Sequence, residues 1–439
     1  MARDDSYRDD RGTLILMLVG AVMLRLIWLT QVHDSPFAFV GAGEATRAAL
    51  AVARHGTFAD AYYQGYGPTA HLMPTMPVIA GGLMRLFGPG APAANFALLV
   101  WSLAQTLCAY LLLRRLFIRL GSDRATIRIG MLLLCLLPIF APQETVDFRY
   151  WEGAAALCFV CLNLLLLIGV EERGGVTTRE LAIIAALSAV TFFVSPGAGL
   201  AVDACWAVFA IRRLSFTRAA QLAVASTVAL AVLLVPWAMR NAQAVGSPIL
   251  LRSNFGIEFA IGNHPAALSP ADPARVFADR LLQIHPYHSP AARAALHAAG
   301  GEVAYSRALG VQTFRWVAAH PGSFALLSLR HLSEFFVPRP WQMYFTGWEG
   351  LRSARALTIG LITLLGLIGL AAGLFARRRG YGTLALYIGL AALPYALVQP
   401  VPRYSYLVYG LLLFLAVELI VRALRLRRPG RAPPDRPAA

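Results

Sequence analysis

Residues 152–170 read EGAAALCFVCLNLLLLIGV, and their length and chemistry decide what kind of fold is open to this chain. From Gly153 to Val170 there is no charged residue, and Asn163 is the one strongly polar side chain. A helix rises about 1.5 Å per residue, so about 20 such residues cross ~30 Å of hydrocarbon. The run therefore predicts a membrane-spanning helix. Its Cys158 and Cys161 have CxxC spacing, but in the middle of a lipid-bound helix their expected role is packing.

Outward from this stretch, comparable runs recur at 13–31, 94–113, 127–142, 180–194, 197–211, 219–239, 356–376, 381–399 and 404–421. The 439-residue chain is 58% hydrophobic and 14% charged. Soluble domains carry roughly 25% charged residues, so this chain cannot cover a water-facing surface. The expected fold class is all-α: a polytopic membrane helical bundle of about 10–12 transmembrane helices, with periplasmic loops carrying interfacial helices. The run at 13–31 follows Arg8 and Arg11 and meets no small-x-small cleavage site, which predicts a retained anchor.

The formal charge of +16 suggests nucleic acid until its distribution is read. There is no lysine, and the arginines gather in short links between apolar runs, at 114–128, 212–218, 377–379 and 422–436. That is the pattern of the positive-inside rule, and no nucleic-acid partner is expected. Two further apolar segments, 71–88 and 323–338, carry Pro, Arg or Glu at places awkward for a crossing. If neither crosses, every arginine-rich link falls in the cytoplasm with both termini. The expected location is the bacterial inner (cytoplasmic) membrane. Large loops at 32–93 and 240–355, and a small one at 143–151, then face the periplasm. The organisation that follows is a membrane core over 1–239, a periplasmic region over 240–355, closing helices over 356–421, and a basic, disordered tail over 422–439.

Three polar patches fall on the external side. The first, around Gly43-Glu44 and Arg47, predicts a helix beginning near Gly43. Glu44 there either serves the helix's first turn, where acids are favoured, or is a partly desolvated base whose shift a cation such as Arg47 offsets. The second runs from Gly65 to Pro77 and includes Thr69 and His71; its Gly and Pro residues predict a fixed irregular backbone leading into a helix. The third, Gln143 to Glu152, holds Glu144, Asp147, Arg149 and Glu152 beside Tyr150 and Trp151. Within the spans, Arg25 either snorkels or faces the bundle, Glu418 and Arg422 have pairing spacing, and Asp203 has no evident partner.

The order of these motifs resembles the GT-C glycosyltransferases, in particular the bacterial branch related to protein O-mannosyltransferases and to the lipid A aminoarabinose transferase. The likeness rests on Gly67-Pro68-Thr69-Ala70-His71-Leu72 with Pro74, Pro77 and Arg85-Leu86-Phe87-Gly88. It continues through Pro236-Trp237, Arg240-Asn241, Arg252-Ser253-Asn254-Phe255-Gly256, Gly262-Asn263, Gly301-Glu302, Tyr305, His320-Pro321 and Pro402-Arg403-Tyr404. The resemblance implies a catalytic acid at Glu44, where relatives often carry an acidic pair and this chain has Gly43-Glu44. It also implies a second-loop acid among Glu152, Asp147 and Glu144, with Glu152 the best match because Trp151-Glu152 opens a span.

The activity so implied is transfer of a hexosyl or pentosyl group from a polyprenyl-phosphate donor to a periplasmic lipid, glycan or protein hydroxyl, with inversion. Glu44 would act as general base, with Arg47, His71, Arg240, Arg252, Arg403 and Tyr404 binding the donor phosphate or substrate. No cofactor is indicated, and a divalent metal, though compatible, has no motif behind it. Two other classes stand beside this one: a lipid or glycan transporter or flippase, and a non-catalytic assembly subunit of the same fold. A transporter would be expected to show internal repeats, and none is evident.

Overall fold

The computed structural model describes residues 11–426 except Asp34, Pro36, Ala42, Gly347 and Glu349. No strand occurs among the described residues; a single bridge joins Ala59 and Pro68. The first half consists of α1 (Arg11–Val32), α2 (Glu44–His55), α3 (Thr75–Phe87), α4 (Pro92–Arg119), α5 (Arg124–Leu136), α6 (Ala141–Thr145) and α7 (Gly153–Arg173). Then come α8 (Thr178–Val194), α9 (Pro196–Arg213) and α10 (Phe216–Val245). Five helices fill the stretch from 240 to 355: α11 (Phe255–Gly262), α12 (Pro273–Ile284), α13 (Pro290–Ala298), α14 (Glu302–Ala319) and α15 (Pro321–Phe336). The chain closes with α16 (Arg352–Phe375), α17 (Tyr381–Leu397) and α18 (Pro402–Leu426). Residues 422–426 of the tail expected to be disordered thus continue α18, and the remainder of that tail lies outside the described residues.

Among the described residues, seven stretches are long and apolar enough to cross a membrane: α1, α4, the α5–α6 stretch, α7, α10, α16 and α18. The three other expected crossings form as α8, α9 and α17, of 17, 18 and 17 residues. The chain is a multi-pass membrane protein. The helix expected at 219–239 runs on to Val245, so Arg240 and Asn241 sit on its last turns.

Local chemistry sets the boundaries. Asp123 caps α5 by accepting from the Thr126 N–H, and Thr177 with Glu180 forms a capping box at α8. Pro92 and Pro196 occupy the first turns of α4 and α9, where a missing N–H leaves no helical bond unmade.

The centre of the bundle is α18, whose residues from Tyr406 to Val417 are almost wholly buried. Glycines let its neighbours approach: a Cβ on Gly366 or Gly369 of α16 would lie 2.4 Å from the carbonyl oxygens of Leu412 or Leu415. Without a hydrophobic drive between helices in lipid, such close backbone contact supplies the packing energy. Phe414 fills the notch left by Gly130 of α5 and stacks on Phe117 of α4, with ring centroids 4.6 Å apart.

The charges inside the bundle are neutralised in place. Arg25 turns inward, its Nε donating to Glu144 at 2.9 Å, while Tyr110 and Tyr406 also donate to that carboxylate. Glu418 pairs with Arg422 at 3.0 Å and with Arg378, and accepts from Tyr381. Asp203 hydrogen-bonds with Ser188 of α8. All five cysteines are free thiols, Cys158 and Cys161 included.

Candidate active site

The segment between α1 and α3 builds the site's floor. Gly43, at φ +68 and ψ −133, turns the chain into α2 in a conformation open mainly to glycine, so that Glu44 opens the helix. Residues 57–69 then fold back on themselves. The Asp60 N–H donates to the Gly67 carbonyl and the Gly67 N–H to Asp60 Oδ1, both at 2.9 Å. Glu302, at the start of α14, clamps the end of this loop. Its carboxylate accepts from Thr69 Oγ1 at 2.7 Å, the Ala70 N–H at 2.6 Å and Ser253 Oγ at 2.9 Å. Arg240 completes the clamp, donating to the carbonyls of Thr69 at 2.6 Å and Phe58 at 2.5 Å.

This scaffold presents His71 to Glu44. His71 is 1% exposed, with Nε2 3.8 Å from Glu44 Oε1 and Nδ1 3.0 Å from the Tyr62 hydroxyl. A second imidazole comes from far along the chain: His285 Nε2 lies 3.5 Å from the same Glu44 oxygen. The His285 Nδ1 accepts the Tyr287 N–H at 3.2 Å, which leaves the ring proton on Nε2, facing the carboxylate. Burial by itself would push the Glu44 carboxyl up, but the hydrogen bond from His71 and the charges of His285 and His71 hold it well below the usual carboxylate range. Burial pushes His285 down against the pull of Glu44 and Glu258, and lowers His288 as well. At neutral pH Glu44 is the ionised member of the group. The offsetting partners are thus histidines rather than Arg47, which instead donates to the Tyr62 carbonyl at 3.1 Å and lies 4.9 Å over the Tyr287 ring.

Two cavities flank this centre. One, of about 470 Å³, is polar and lined by Gly43, Arg47, Arg54, Asp60, Gln64 and Tyr287. The other, of about 360 Å³, is apolar over much of its wall, from Leu251, Phe255, Pro394 and Tyr395, but holds Glu152 and Arg252. Arg252 donates to Glu152 at 2.6 Å. Arg403 lines a narrow cleft that shares Glu152, Tyr395 and Tyr404 with this second cavity. It sits 4.5 Å over the Trp151 ring and donates to the Tyr404 hydroxyl at 3.2 Å, and it is within electrostatic reach of both Asp147 and Glu44. The Nε–H groups of Arg252 and Arg403 are buried with no hydrogen-bond partner. An unpaired buried donor on a cation costs on the order of a few kcal/mol, so each of these N–H groups can donate to an anion, Arg252 beside its pairing with Glu152. Burial pushes the Asp147 carboxyl up to about 6 against the opposing pull of Arg403 and Gln143.

The structure therefore gathers Glu44, His71, Arg47, Asp147, Glu152, Arg252, Arg403 and Tyr404 around one region. It turns Arg240 toward backbone carbonyls and seals Glu144 in the bundle with Arg25. Tyr62, His285, His288 and Glu258 join the site without having been singled out from the sequence. The signal that could have found the histidines is the run Ile284-His285-Pro286-Tyr287-His288, dense in imidazole for a turn between helices.

Glu44, His71 and His285 also have ligand atoms all within 4.8 Å of one another, a spacing that suits a divalent cation. Glu44 and His71 fit such an ion. His285 does not as hydrogen-bonded here, since its lone pair on Nδ1 is taken by the Tyr287 N–H and Nε2 carries the proton. The trio is set as a proton network rather than a metal cradle.

No family model and no curated protein matches the chain. Solved structures do. The apo oligosaccharyltransferase of Archaeoglobus fulgidus superposes with a TM-score of 0.53 at 14% identity, over 95% of this chain and 52% of that one. Its complex with Zn and sulfate gives 0.53 at 14% identity, over 94% and 49%. ArnT from Cupriavidus metallidurans in the apo state gives 0.36 at 15% identity, over 94% and 78%. The chain spans about half the length of the oligosaccharyltransferase it matches. The two oligosaccharyltransferase matches show the fold: the chain shares the helical architecture of that membrane enzyme.

Proposed function

We propose that the chain is a glycosyltransferase that moves a sugar from a polyprenyl-phosphate donor to an acceptor hydroxyl at the periplasmic face of the bacterial inner membrane. The observation that carries this reading is Glu44, an ionised carboxylate whose neighbour Gly43 lines a polar cavity and which lies within electrostatic reach of Arg403, beside a second, more apolar cavity that holds Arg252. Each part of a single displacement then has a residue. The acceptor oxygen bonds to the anomeric carbon from one side, and the bond from that carbon to the phosphate oxygen breaks on the other. The electron pair leaves on the phosphate, where Arg252, Arg403 and Tyr404 supply donors for the growing charge. The acceptor's proton passes to Glu44.

A carboxylate held this low is a weak base. It suits a loose, oxocarbenium-like transition state, in which the incoming hydroxyl becomes acidic only late. His71 and His285 keep the carboxylate aimed, and Glu302 with Arg240 keeps His71 in place. Displacement on one face predicts an inverted product.

Glu44→Gln tests the reading. In vesicles carrying labelled polyprenyl-phosphate sugars, transfer of label should fall by about 10²–10⁴ with thermal unfolding unchanged. Transfer at the parent rate would remove Glu44 from the chemistry.

A further inference from the structure

The two cavities beside Glu44 differ in charge, and that difference bears on the acceptor. The lipid-like chamber has an acid for its arginine: Glu152 pairs with Arg252. The polar chamber does not. Arg47 and Arg54 stand two turns apart on one face of α2 and both line it, with His55 beside them. No acid pairs with either arginine among the described residues. Asp60, the acid on that wall, commits Oδ1 to the Gly67 N–H.

Arg47 is also held in place. One of its five N–H groups goes to the Tyr62 carbonyl and its face lies on the Tyr287 ring, which fixes the rest of the fork. Arg54 is exposed and has no hydrogen-bond or ion-pair partner among the described residues. The chamber's volume of about 470 Å³ is in the range of small-molecule sites. Gly43, next to the base, forms part of its wall.

We infer that the polar chamber is the acceptor subsite and that it takes an acceptor bearing a phosphate or carboxylate close to its reacting hydroxyl. The inference rests on the glycosyltransferase reading for the word acceptor, and on the arginine pair for the charge. In a displacement with inversion the nucleophile and the leaving group occupy opposite sides of the anomeric carbon. If the phosphate leaves toward Arg252 and Arg403, the hydroxyl arrives from the chamber of Arg47 and Arg54. Two guanidinium groups against the one carboxylate of Asp60 leave the wall net positive, which raises the local concentration of anions and offers forked hydrogen bonding to a phosphate or carboxylate.

The test is a binding measurement, independent of turnover. The full chain in nanodiscs of zwitterionic lipid is titrated with a hexose 6-phosphate, which lacks the donor's anomeric phosphate, and with the matching free hexose. The phosphate should bind at least about tenfold more tightly, a preference that weakens with salt. Arg54→Gln, at an exposed position that leaves folding untouched, should reduce the preference severalfold, and adding Arg47→Gln should abolish it. Arg315→Gln, at an exposed position of α14 that lines neither cavity, should preserve it. Equal binding of the two sugars overturns the inference, as does a preference that survives the double substitution or is lost with Arg315→Gln. Adding phosphatidylglycerol to the nanodiscs tells the source of the charge. Competition with the sugar phosphate points to a lipid-borne acceptor, and indifference to a glycan or soluble one. A Glu44→Gln protein that still transfers label sinks the catalytic reading while leaving the anion preference to stand or fall alone.

Discussion

Glu44 and Glu144 both belong to polar patches that break the apolar sequence, and the structure treats them in opposite ways. Glu144 is 1% exposed, ion-paired to Arg25 at 2.8 Å and bonded by two tyrosine hydroxyls, with no lone pair left to act on a substrate. Glu44 is 16% exposed at its side chain, is held by two imidazoles rather than a guanidinium, and stands next to an open chamber. Arginine does not give up its proton, so an acid locked to it is structural; histidine can change charge, so an acid facing it can take part in proton transfer. The partner, more than the acid, separates the two roles.

The largest effect that would break this comparison concerns stability. Glu144→Gln leaves Arg25 buried without its counter-ion and should cost about 3–5 kcal/mol. Thermal unfolding in detergent should register the loss, while activity per folded molecule stays near the parent's. Arg25→Met combined with Glu144→Gln should recover most of that stability, because the buried charge is then removed altogether. A Glu144→Gln protein that unfolds normally but cannot transfer sugar would reverse the two roles.

A smaller effect sharpens the other side. Tyr62 is wholly buried, and its hydroxyl holds His71 by Nδ1. Tyr62→Phe removes that bond and frees the ring to turn from Glu44. Transfer should fall by about tenfold, the scale of one lost hydrogen bond of about 1–1.5 kcal/mol. The acidic limb of the rate profile should move as well, a change that loss of packing alone would not produce. An unshifted profile with normal rate would show that His71 is oriented by other contacts.

Much of the fold was legible because lipid imposes its own arithmetic. Charge-free runs such as 153–170 can satisfy their backbone only as helix, and arginine placement then orders the links. The glycines and prolines of 65–77 likewise announced a fixed loop, which forms. The site was legible only in part. Glu144 and Glu152 lie in one ten-residue turn, and nothing local tells which of them meets Arg25 and which meets Arg252. Arg240 carries a motif-like setting, yet its guanidinium is taken up by carbonyls of the first loop, a contact set by how α10 meets that loop. His285 reaches Glu44 only because α12 ends beside α2. Sequence pattern reports which groups face water or lipid; partners far along the chain are decided by packing.

Asp147 offers the smallest and most selective test, since it lies between the two regimes: half-buried like a working acid, yet facing an arginine. Its carboxyl is pushed up to about 6 by burial, with Arg403 and Gln143 pulling the other way. An acid whose folded value exceeds its ordinary 3.8 binds its proton more tightly in the folded state. Its contribution is therefore fully present below about pH 4 and is lost as pH rises through about 6. Asp147→Asn removes that dependence, so its unfolding temperature should meet the parent's near pH 4 and exceed it by a few degrees at about pH 7–8. Scanning fluorimetry from about pH 4 to 8 reads the difference. If the two curves instead converge only at low pH and the variant is the less stable at about pH 7, then Asp147 is bound to Arg403 as firmly as Glu144 is to Arg25. It would then belong with the structural acids.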